Sequence, residues 1–274
     1  MSMSFSVVIP YYNKKYSINR AVKSCLANHD IEEIIIVDDG SDDEAVVDFV
    51  TDRVKIYRKE NGGVSSARNY GIEKSNNQYV ILLDADDELL PSFSTKLKSM
   101  VIHNPGKSLF ALNYFLGVNG QLKKNRIFSP VAFNYIDCIK FNMYPFCSSS
   151  VCINKNSYFK FPEGITHGED IITWLRYHHS KGIVYSNEMH SVYHFDDQDS
   201  AVSSSGVNLK VLKDKIKFLP KKENRIVMNR FLIQNKKREF LTGKKECNDI
   251  KFNYCSVYQS IEYFAICLIL KFRN

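Results

Sequence analysis

Several sequence patterns that are typical of common functional classes are missing from this chain of 274 residues. Its seven cysteines include no Cys-x-x-Cys pair, so zinc ribbons and thioredoxin-type redox sites are not indicated. A Gly-x-Gly-x-x-Gly motif is also absent, which disfavours an NAD-dependent oxidoreductase. The longest apolar run, residues 263–270, is much shorter than the roughly 20 residues that span a bilayer. We therefore expect no transmembrane helix and, from the start of the chain, no secretory signal.

The composition is that of an ordinary globular protein, with 44% hydrophobic and 24% charged residues. The length permits one large domain or two small ones, either of which can bury a sizeable core. The formal net charge of +7 is unevenly distributed, because residues 207–251 contain 14 Lys and Arg against 5 Asp and Glu. The first 206 residues carry a net charge of −3. The sequence therefore predicts a slightly acidic body followed by a basic extension.

The basic extension would suit a solvated helical face, an anionic membrane surface or a nucleic acid. Because no RNA-binding signature occurs and the body is acidic, we expect no nucleic-acid partner. The stretch at 254–272 is rich in apolar residues and has Lys271 and Arg273 at its end. This pattern indicates a helix that lies on lipid headgroups, or one that packs against the body or a second copy of the chain.

Strand and helix patterns alternate through the first hundred residues. Short apolar runs predict buried strands, and helical spacing of apolar residues follows most of them. The predicted strands are 6–9, 34–37, 54–57 and 79–83. The predicted helices are 18–26 and 65–74, together with a short helix that Ser41 caps and a helix that begins at Pro91 and Ser92. This order favours an α/β, Rossmann-like fold with a mainly parallel central sheet and helices on both faces.

The rest of the chain is less regular. Asn119-Gly120 between two strand-like runs predicts a hairpin. Further strands are predicted at 151–153 and 183–185, a helix at 170–179, and helical structure by composition over 207–274. We expect the chain to be divided into residues 1–104, 105–206 and 207–274.

Polar clusters follow three of the predicted strands directly. They occupy residues 10–13, 38–41 and 84–87. Ligands of an open parallel sheet bind at the carboxyl ends of the strands, so these clusters are expected to converge on one site. The alternative for any single cluster is a turn or a cap for the next helix.

Asp84 and Asp86 form an Asp-x-Asp pair at the end of a predicted strand. Two carboxylates placed in this way can both reach a hard cation. Mg²⁺ and Mn²⁺ favour one or two carboxylates together with phosphate oxygens of a substrate. The pair therefore predicts a divalent cation that stabilises a diphosphate leaving group.

The order and spacing of five segments resemble those of the family 2 glycosyltransferases, which are inverting enzymes with a GT-A fold. The segments are VVIPYYNK at 7–14, IIIVDDGSDD at 34–43, ENGGVSSARNYGIEKS at 60–75, YVILLDADDELLP at 79–91 and GEDIITWL at 168–175. Together they span about 170 residues, nearly two thirds of the chain. An isolated Asp-x-Asp pair would not support this resemblance, whereas the five segments in this order do.

The resemblance implies where a nucleotide-sugar would bind. Pro10 and Tyr12 would contact the base, and Asp39, with Asp38 beside it, would hydrogen-bond a uracil ring. The glycine-containing segment would lie near the nucleotide and its phosphates through Asn61, Gly62 and Arg68. Glycine permits close backbone approach and arginine suits phosphate oxygens, although Arg68 could also be a solvated charge on a helix face.

By the same resemblance, Asp84 would lie near the ribose and Asp86 would hold the metal, manganese or magnesium. Asp87 is expected to cap a helix instead. His194 stands where many members carry an arginine on a loop over the diphosphate, and Asp196 stands at the place of their usual histidine. Which group contacts the phosphates in this loop is left open.

The resemblance also implies a catalytic base. Asp170 matches the aspartate that takes the proton of the acceptor hydroxyl, a step that inversion requires on the face opposite the leaving group. Its alternative is an aspartate that complements the dipole in the first turn of a helix. Glu169 would orient the acceptor or its loop, and His167 would contact the sugar or the acceptor.

The sequence thus predicts an inverting glycosyltransferase that moves a sugar, most simply from a UDP-sugar, to a hydroxyl of a glycan or lipid-linked glycan in surface polysaccharide synthesis. Residues 1–104 would bind the donor, 105–206 would bind the acceptor and supply the base, and 207–274 would be a basic helical extension. We expect the protein at the cytoplasmic face of the cell membrane, held peripherally by this extension, with a homo-oligomer possible. The rival function is a non-catalytic, nucleotide- or membrane-binding relative of the fold.

Overall fold

The computed structural model describes residues 3–42, 44–48, 51–125, 133–165, 167–195 and 208–241. The chain divides into two compact units. The first consists of Met1–Phe133, Pro145–Gly164 and Glu169–Val202, and the second of Asn134–Tyr144, Ile165–Gly168 and Ser203–Asn274.

The first unit contains a mixed sheet. Its strands within the described residues are β1 Phe5–Tyr11, β2 Ile31–Asp38, β3 Val54–Arg58, β4 Tyr79–Leu82, β5 Glu88–Leu89, β6 Leu109–Val118, β7 Gln121–Lys124, β8 Val151–Asn154 and β9 Ile183–His194. The helices of this unit are α1 Ile18–Leu26, α2 Val64–Lys74, α3 Phe93–His103 and α5 Glu169–Ser180. Two short 3₁₀ turns, Ser148–Ser150 and Lys155–Ser157, flank β8.

The strand order is β3-β2-β1-β4-β8-β6-β9-β5, with β7 paired to β6. The four strands β3, β2, β1 and β4 are parallel, as predicted for the first hundred residues. Beyond them β8 is antiparallel to both β4 and β6, whereas β9 runs parallel to β6. The predicted α/β class is confirmed, with the parallel part concentrated in the N-terminal half.

Alternate residues of β1 face opposite sides of the sheet, as the period of a strand requires. Phe5, Val7 and Ile9 belong to the buried cluster that includes the apolar residues of α1 and α3. Val8 lies on the other side, where α2 packs so closely that a Cβ on Gly71 would be 2.4 Å from the Val8 Cγ1 atom. Helices therefore cover both faces of the parallel strands, as predicted.

Two local predictions were wrong. Residues 44–48 contain no helix after Ser41, because Asp38 accepts a hydrogen bond from the Ala45 amide (3.3 Å) and Val46 is 70% exposed rather than packed. Asp87 caps no helix either, since β5 follows it and the N-cap of α3 is Ser92. In both cases the expected cap bonds to a neighbouring segment instead of a helix start. The Ser41 hydroxyl accepts from the Asn13 amide, and the Asp87 carboxylate accepts from Ser149 and His194.

The predicted hairpin is present. Asn119 and Gly120 have φ values of 50° and 72°, which are the left-handed values required of both central residues in a type I′ turn. The turn joins β6 to β7 in antiparallel register. The strands predicted at 151–153 and 183–185 and the helix predicted at 170–179 also form, as β8, β9 and α5.

The second unit is helical within its described residues. It contains α4 Tyr135–Lys140, α6 Leu209–Lys215 and α7 Lys221–Leu241. Asn134 caps α4 through its side chain, and Arg230 of α7 donates to the Tyr144 hydroxyl. The predicted helical character of the extension is confirmed as far as α7, and the apolar stretch at 254–272 lies outside the described residues.

No helix among the described residues is both long and apolar enough to cross a bilayer.

The close approach of α2 to β1 makes a test of the packing. We expect Gly71→Ala to lower the free energy of unfolding by about 1–3 kcal/mol, because the added methyl group would overlap Val8. Urea denaturation would measure this loss. In a Val8→Ala background the same change should cost less, since the overlapping methyl groups are gone. Equal costs in both backgrounds would contradict the packing described here.

Candidate active site

The loops after β1, β2 and β4 meet at one edge of the sheet. The amide of Asp39 donates to the Tyr11 carbonyl at 2.9 Å, which joins the second loop to the end of β1. The amide of Asn13 donates to the Ser41 hydroxyl at 3.0 Å. The structure thus brings together the polar clusters at 10–13 and 38–41, and the Lys14–Asp86 ion pair described below brings in the cluster at 84–87.

Asp38 and Asp39 are both buried, and each organises a loop. Asp38 accepts from the Ser41 amide at 2.9 Å, which shapes its own loop. Asp39 accepts from the amides of Gly62 (3.0 Å) and Gly63 (2.7 Å), just before α2. Its Oδ1 atom also accepts from the Lys59 ammonium at 2.7 Å. The Asp39 carboxylate therefore holds the segment that leads into α2.

Gly40 allows the loop after β2 to approach the segment that leads into α2. Its φ of +76° is left-handed, and a Cβ at this position would lie 2.9 Å from the Asn61 amide nitrogen. A larger residue would meet backbone there, which has no freedom to give way. Asn61 and Gly62 are exposed above this contact, and Tyr12 at the end of β1 is also exposed. Pro10 is only partly buried.

Arg68 is the buried cation of the site. Its Nη2 atom donates to Asp84 at 2.7 Å and its Nη1 atom donates to Glu169 at 3.1 Å. The guanidinium also lies over the Phe161 ring, 5.4 Å from the ring centre. Burial disfavours its charge, but the two carboxylates outweigh this and raise the pKa of Arg68 above its usual range. Arg68 is thus buried rather than solvated, and each of its terminal nitrogens is bound to a carboxylate. Its assignment to the nucleotide phosphates stays a prediction.

The acidic turn at 84–88 contains three carboxylates besides Asp84, and each of them also has a partner. Lys14 pairs with Asp86 at 2.6 Å, and the imidazole of His194 pairs with Glu88 at 2.8 Å. The buried Asp87 accepts from the backbone amide of His194 at 2.9 Å. Burial, followed by the charge of Asp84, raises the pKa of both Asp86 and Asp87.

The sequence analysis did not identify Ser149 as a residue of the site. Its hydroxyl accepts from the Asp84 amide at 3.0 Å and donates to the Asp87 carboxylate, so it fixes the acidic turn from β8's side of the sheet. The Ser148–Ser150 segment has no motif that reveals this role. The pairing of Lys14 with Asp86 was also missed, although Lys14 ends the first of the five recognised segments.

Asp170 lies in the first turn of α5 and is half-buried. Its Oδ1 atom accepts from the amide of Ile171 at 2.7 Å. Burial, reinforced by the charge of Glu169 and opposed by Arg68, raises the pKa of Asp170 to about 7. A carboxyl group with this proton affinity exchanges protons near neutral pH, which suits a general base.

The described side chains by themselves provide few ligands for a metal ion. Within the ranges that the structure describes, no group of three or more His, Cys, Asp or Glu residues could hold one. Asp86 is paired with Lys14 and Asp84 with Arg68. Because Mg²⁺ is commonly held by one or two carboxylates and substrate phosphates, Asp86 fits a cation together with a diphosphate if Lys14 moves aside.

Two parts of the predicted site are not included in the arrangement described above. His167 belongs to the second unit, whereas Glu169 and Asp170 belong to the first. The predicted diphosphate loop contains residues 196–200, which lie outside the described residues. The roles assigned to His167 and to this loop stay predictions.

The double pairing of Arg68 can be tested by unfolding. We expect Arg68→Met to lower the free energy of unfolding by about 3 kcal/mol, because Asp84 and Glu169 would lose their common counterion in a buried place. Urea denaturation followed by the fluorescence of Trp174, the single tryptophan, would measure it.

Arg58→Met is the matched control, since Arg58 pairs with buried Asp38 at 3.3 Å but its side chain is 42% exposed. It should cost less than about 1 kcal/mol. Equal losses in the two variants would contradict a special role of Arg68.

Comparison with known proteins identifies the family of this chain. The model described as "Glycosyl transferase family 2" matches residues 6–161. An uncharacterized glycosyltransferase of Rickettsia conorii is 31% identical over 183 residues, which are 62% of this chain and 29% of that protein. The minor teichoic acid biosynthesis protein GgaB of Bacillus subtilis is 27% identical over 180 residues, 61% of this chain and 20% of GgaB. The match spans less than a third of either relative's length.

The structure of residues 1–349 of S. aureus TarS, in complex with UDP-GlcNAc, gives a TM-score of 0.64 at 17% identity. The match covers 87% of this chain and 73% of that chain. This likeness confirms the predicted GT-A fold. Since the family model covers more than half of the chain and the fold agrees with it, the chain belongs to glycosyl transferase family 2.

Proposed function

We propose that this protein is an inverting glycosyltransferase that uses a UDP-sugar and a hydroxyl of a glycan or lipid-linked glycan. The observation that carries the proposal is the Arg68 bridge, which joins Asp84 at the end of β4 to Glu169 beside Asp170. It links the strand end that would face the donor to the helix start that contains the proposed base. The part of GgaB in minor teichoic acid biosynthesis and the complex of TarS with UDP-GlcNAc support an acceptor and a donor of these classes.

The donor nucleotide would lie over the loops after β1 and β2. Tyr12 would offer its exposed ring to the base together with the partly buried Pro10, and the exposed Asn61 and Gly62 would offer polar groups to the nucleotide. Asp39 would hydrogen-bond uracil by exchanging its contact with the Lys59 ammonium, which stands on a flexible side chain, whereas the other two partners are backbone amides. Asp38 acts beneath it by shaping the loop.

The transfer itself requires one proton acceptor. The acceptor hydroxyl oxygen forms a bond to the anomeric carbon, while the bond from that carbon to the diphosphate oxygen breaks on the opposite face. UDP leaves with the electron pair, and the hydroxyl proton passes to the carboxylate of Asp170. Glu169, fixed by Arg68, would orient the acceptor or its loop, and His167 would contact the sugar or the acceptor.

Asp86, with Asp84 near the ribose, would hold manganese or magnesium. When bound, the cation would neutralise the diphosphate and stabilise it as a leaving group. Attachment to an anionic membrane surface at the cytoplasmic face through the basic extension, and assembly into a homo-oligomer, complete the proposal.

The base assignment predicts a specific pH dependence. Because the pKa of Asp170 is raised to about 7 and the base must be ionised, kcat/KM should rise with pH and level off above that value. Asp170→Asn should lower kcat about 10²–10⁴-fold without weakening UDP binding. Transfer from radiolabelled UDP-sugars to glycan acceptors would measure both effects.

Asp52→Asn, an exposed aspartate on the same unit, is the control and should behave like the wild type. Wild-type turnover by Asp170→Asn would rule out the proposed base.

Nucleotide and cation binding can be tested without an acceptor. UDP with Mn²⁺ should raise the melting temperature by a few degrees through mass action, and neither alone should suffice. The shift should disappear in Asp86→Asn, which keeps the size of the side chain but removes its charge. A shift with GDP instead would change the donor and keep the class, whereas no shift with any nucleoside diphosphate would contradict the nucleotide site.

A further inference from the structure

Lys14 and Asp86 form a largely buried ion pair at the centre of the proposed donor site. The Nζ–Oδ2 distance is 2.6 Å, and the two side chains are 12% and 18% exposed. The parallel pairing of β1 with β4 sets the following loops side by side, so Lys14 reaches across from one loop to the other. Arg20 of α1 donates to the main-chain carbonyl of Asp86, which holds the backbone of the residue in place.

The partners of the neighbouring carboxylates differ from Lys14 in their freedom to move. Asp84 is paired with a buried guanidinium that is also bound to Glu169. Asp87 is held by a backbone amide and a buried hydroxyl. Lysine instead places a compact charge on a flexible four-carbon stem with rotatable bonds, so its ammonium can leave one position for another at small conformational cost.

We propose that Lys14 is an internal, displaceable counterion of Asp86 that competes with a divalent cation for this carboxylate. This inference rests on the assignment of Asp86 to the cation in the proposed function. The two positive charges would occupy the same side of one carboxylate, so a cation gains Asp86 only by displacing the ammonium. A cation alone therefore binds weakly, and a diphosphate that attracts both charges offsets the loss of the ion pair.

Binding of Mn²⁺ to the purified full chain, measured by the loss of its free aqueous electron paramagnetic resonance signal, tests the competition without any turnover. In Lys14→Met the stem is kept and the charge is removed, so the Kd for Mn²⁺ should fall about five- to tenfold. Lys14→Arg keeps a positive charge and should retain weak binding. Lys15→Met removes an exposed charge from the same loop and is the matched control, with a Kd like that of the wild type.

UDP should reduce the difference between wild type and Lys14→Met, because the diphosphate supplies ligands to the cation and a partner to the displaced ammonium. An unchanged or weaker Mn²⁺ affinity in Lys14→Met would overturn the competition. An equal gain in Lys15→Met would also overturn it, since the effect would then come from net charge alone.

Asp86→Asn separates this inference from the proposal beneath it. If this variant loses Mn²⁺ binding while Lys14→Met matches the wild type, Asp86 holds the cation and the competition is wrong. If no variant binds Mn²⁺ with or without UDP, the cation assignment and the competition both fail. Sugar transfer in the presence of a chelator would then decide whether the transferase proposal itself still stands.

Discussion

A single buried guanidinium holds the candidate site together. Arg68 binds Asp84, 16 residues away in the chain, and Glu169, 101 residues away, so it joins the end of β4 to the start of α5. A buried cation is costly to desolvate, and this cost is met only while both carboxylates stay in place. The same contact thus stabilises the fold, orients the residue next to Asp170 and opposes the rise in the pKa of Asp170.

The acidic turn that follows β4 would repel itself without such partners. Five positions contain four carboxylates, and each is bound by a donor or cation from another segment of the first unit, with His194 serving both Asp87 and Glu88. Asp84 and Asp87 are bound by a shared guanidinium, a backbone amide and a buried hydroxyl, and Glu88 is bound by an imidazole. Lys14 is the flexible one among them, which places the adjustable charge at the carboxylate proposed to hold a cation.

Local patterns predicted much of the fold because they depend on neighbours in the chain. The buried strands, the Asn119-Gly120 turn and α5 follow from apolar periodicity and turn chemistry. The same reasoning failed at Ser41 and Asp87, where a residue typical of a cap bonds instead to a segment brought near by folding. Propensity for a cap is a weak preference that a tertiary hydrogen bond readily overrides.

The amino-acid sequence was enough to predict which polar residues stand at the ends of the strands, and hence the family, the fold class and the candidate residues Asp39, Asp86 and Asp170. It determined them because strand period and motif spacing are properties of contiguous segments. The partners of these residues became visible in the folded chain alone: Arg68 between two carboxylates, Lys14 on Asp86 and Ser149 on Asp87. Those pairings join segments tens of residues apart, and the approach of such segments is set by sheet order and packing rather than by local sequence.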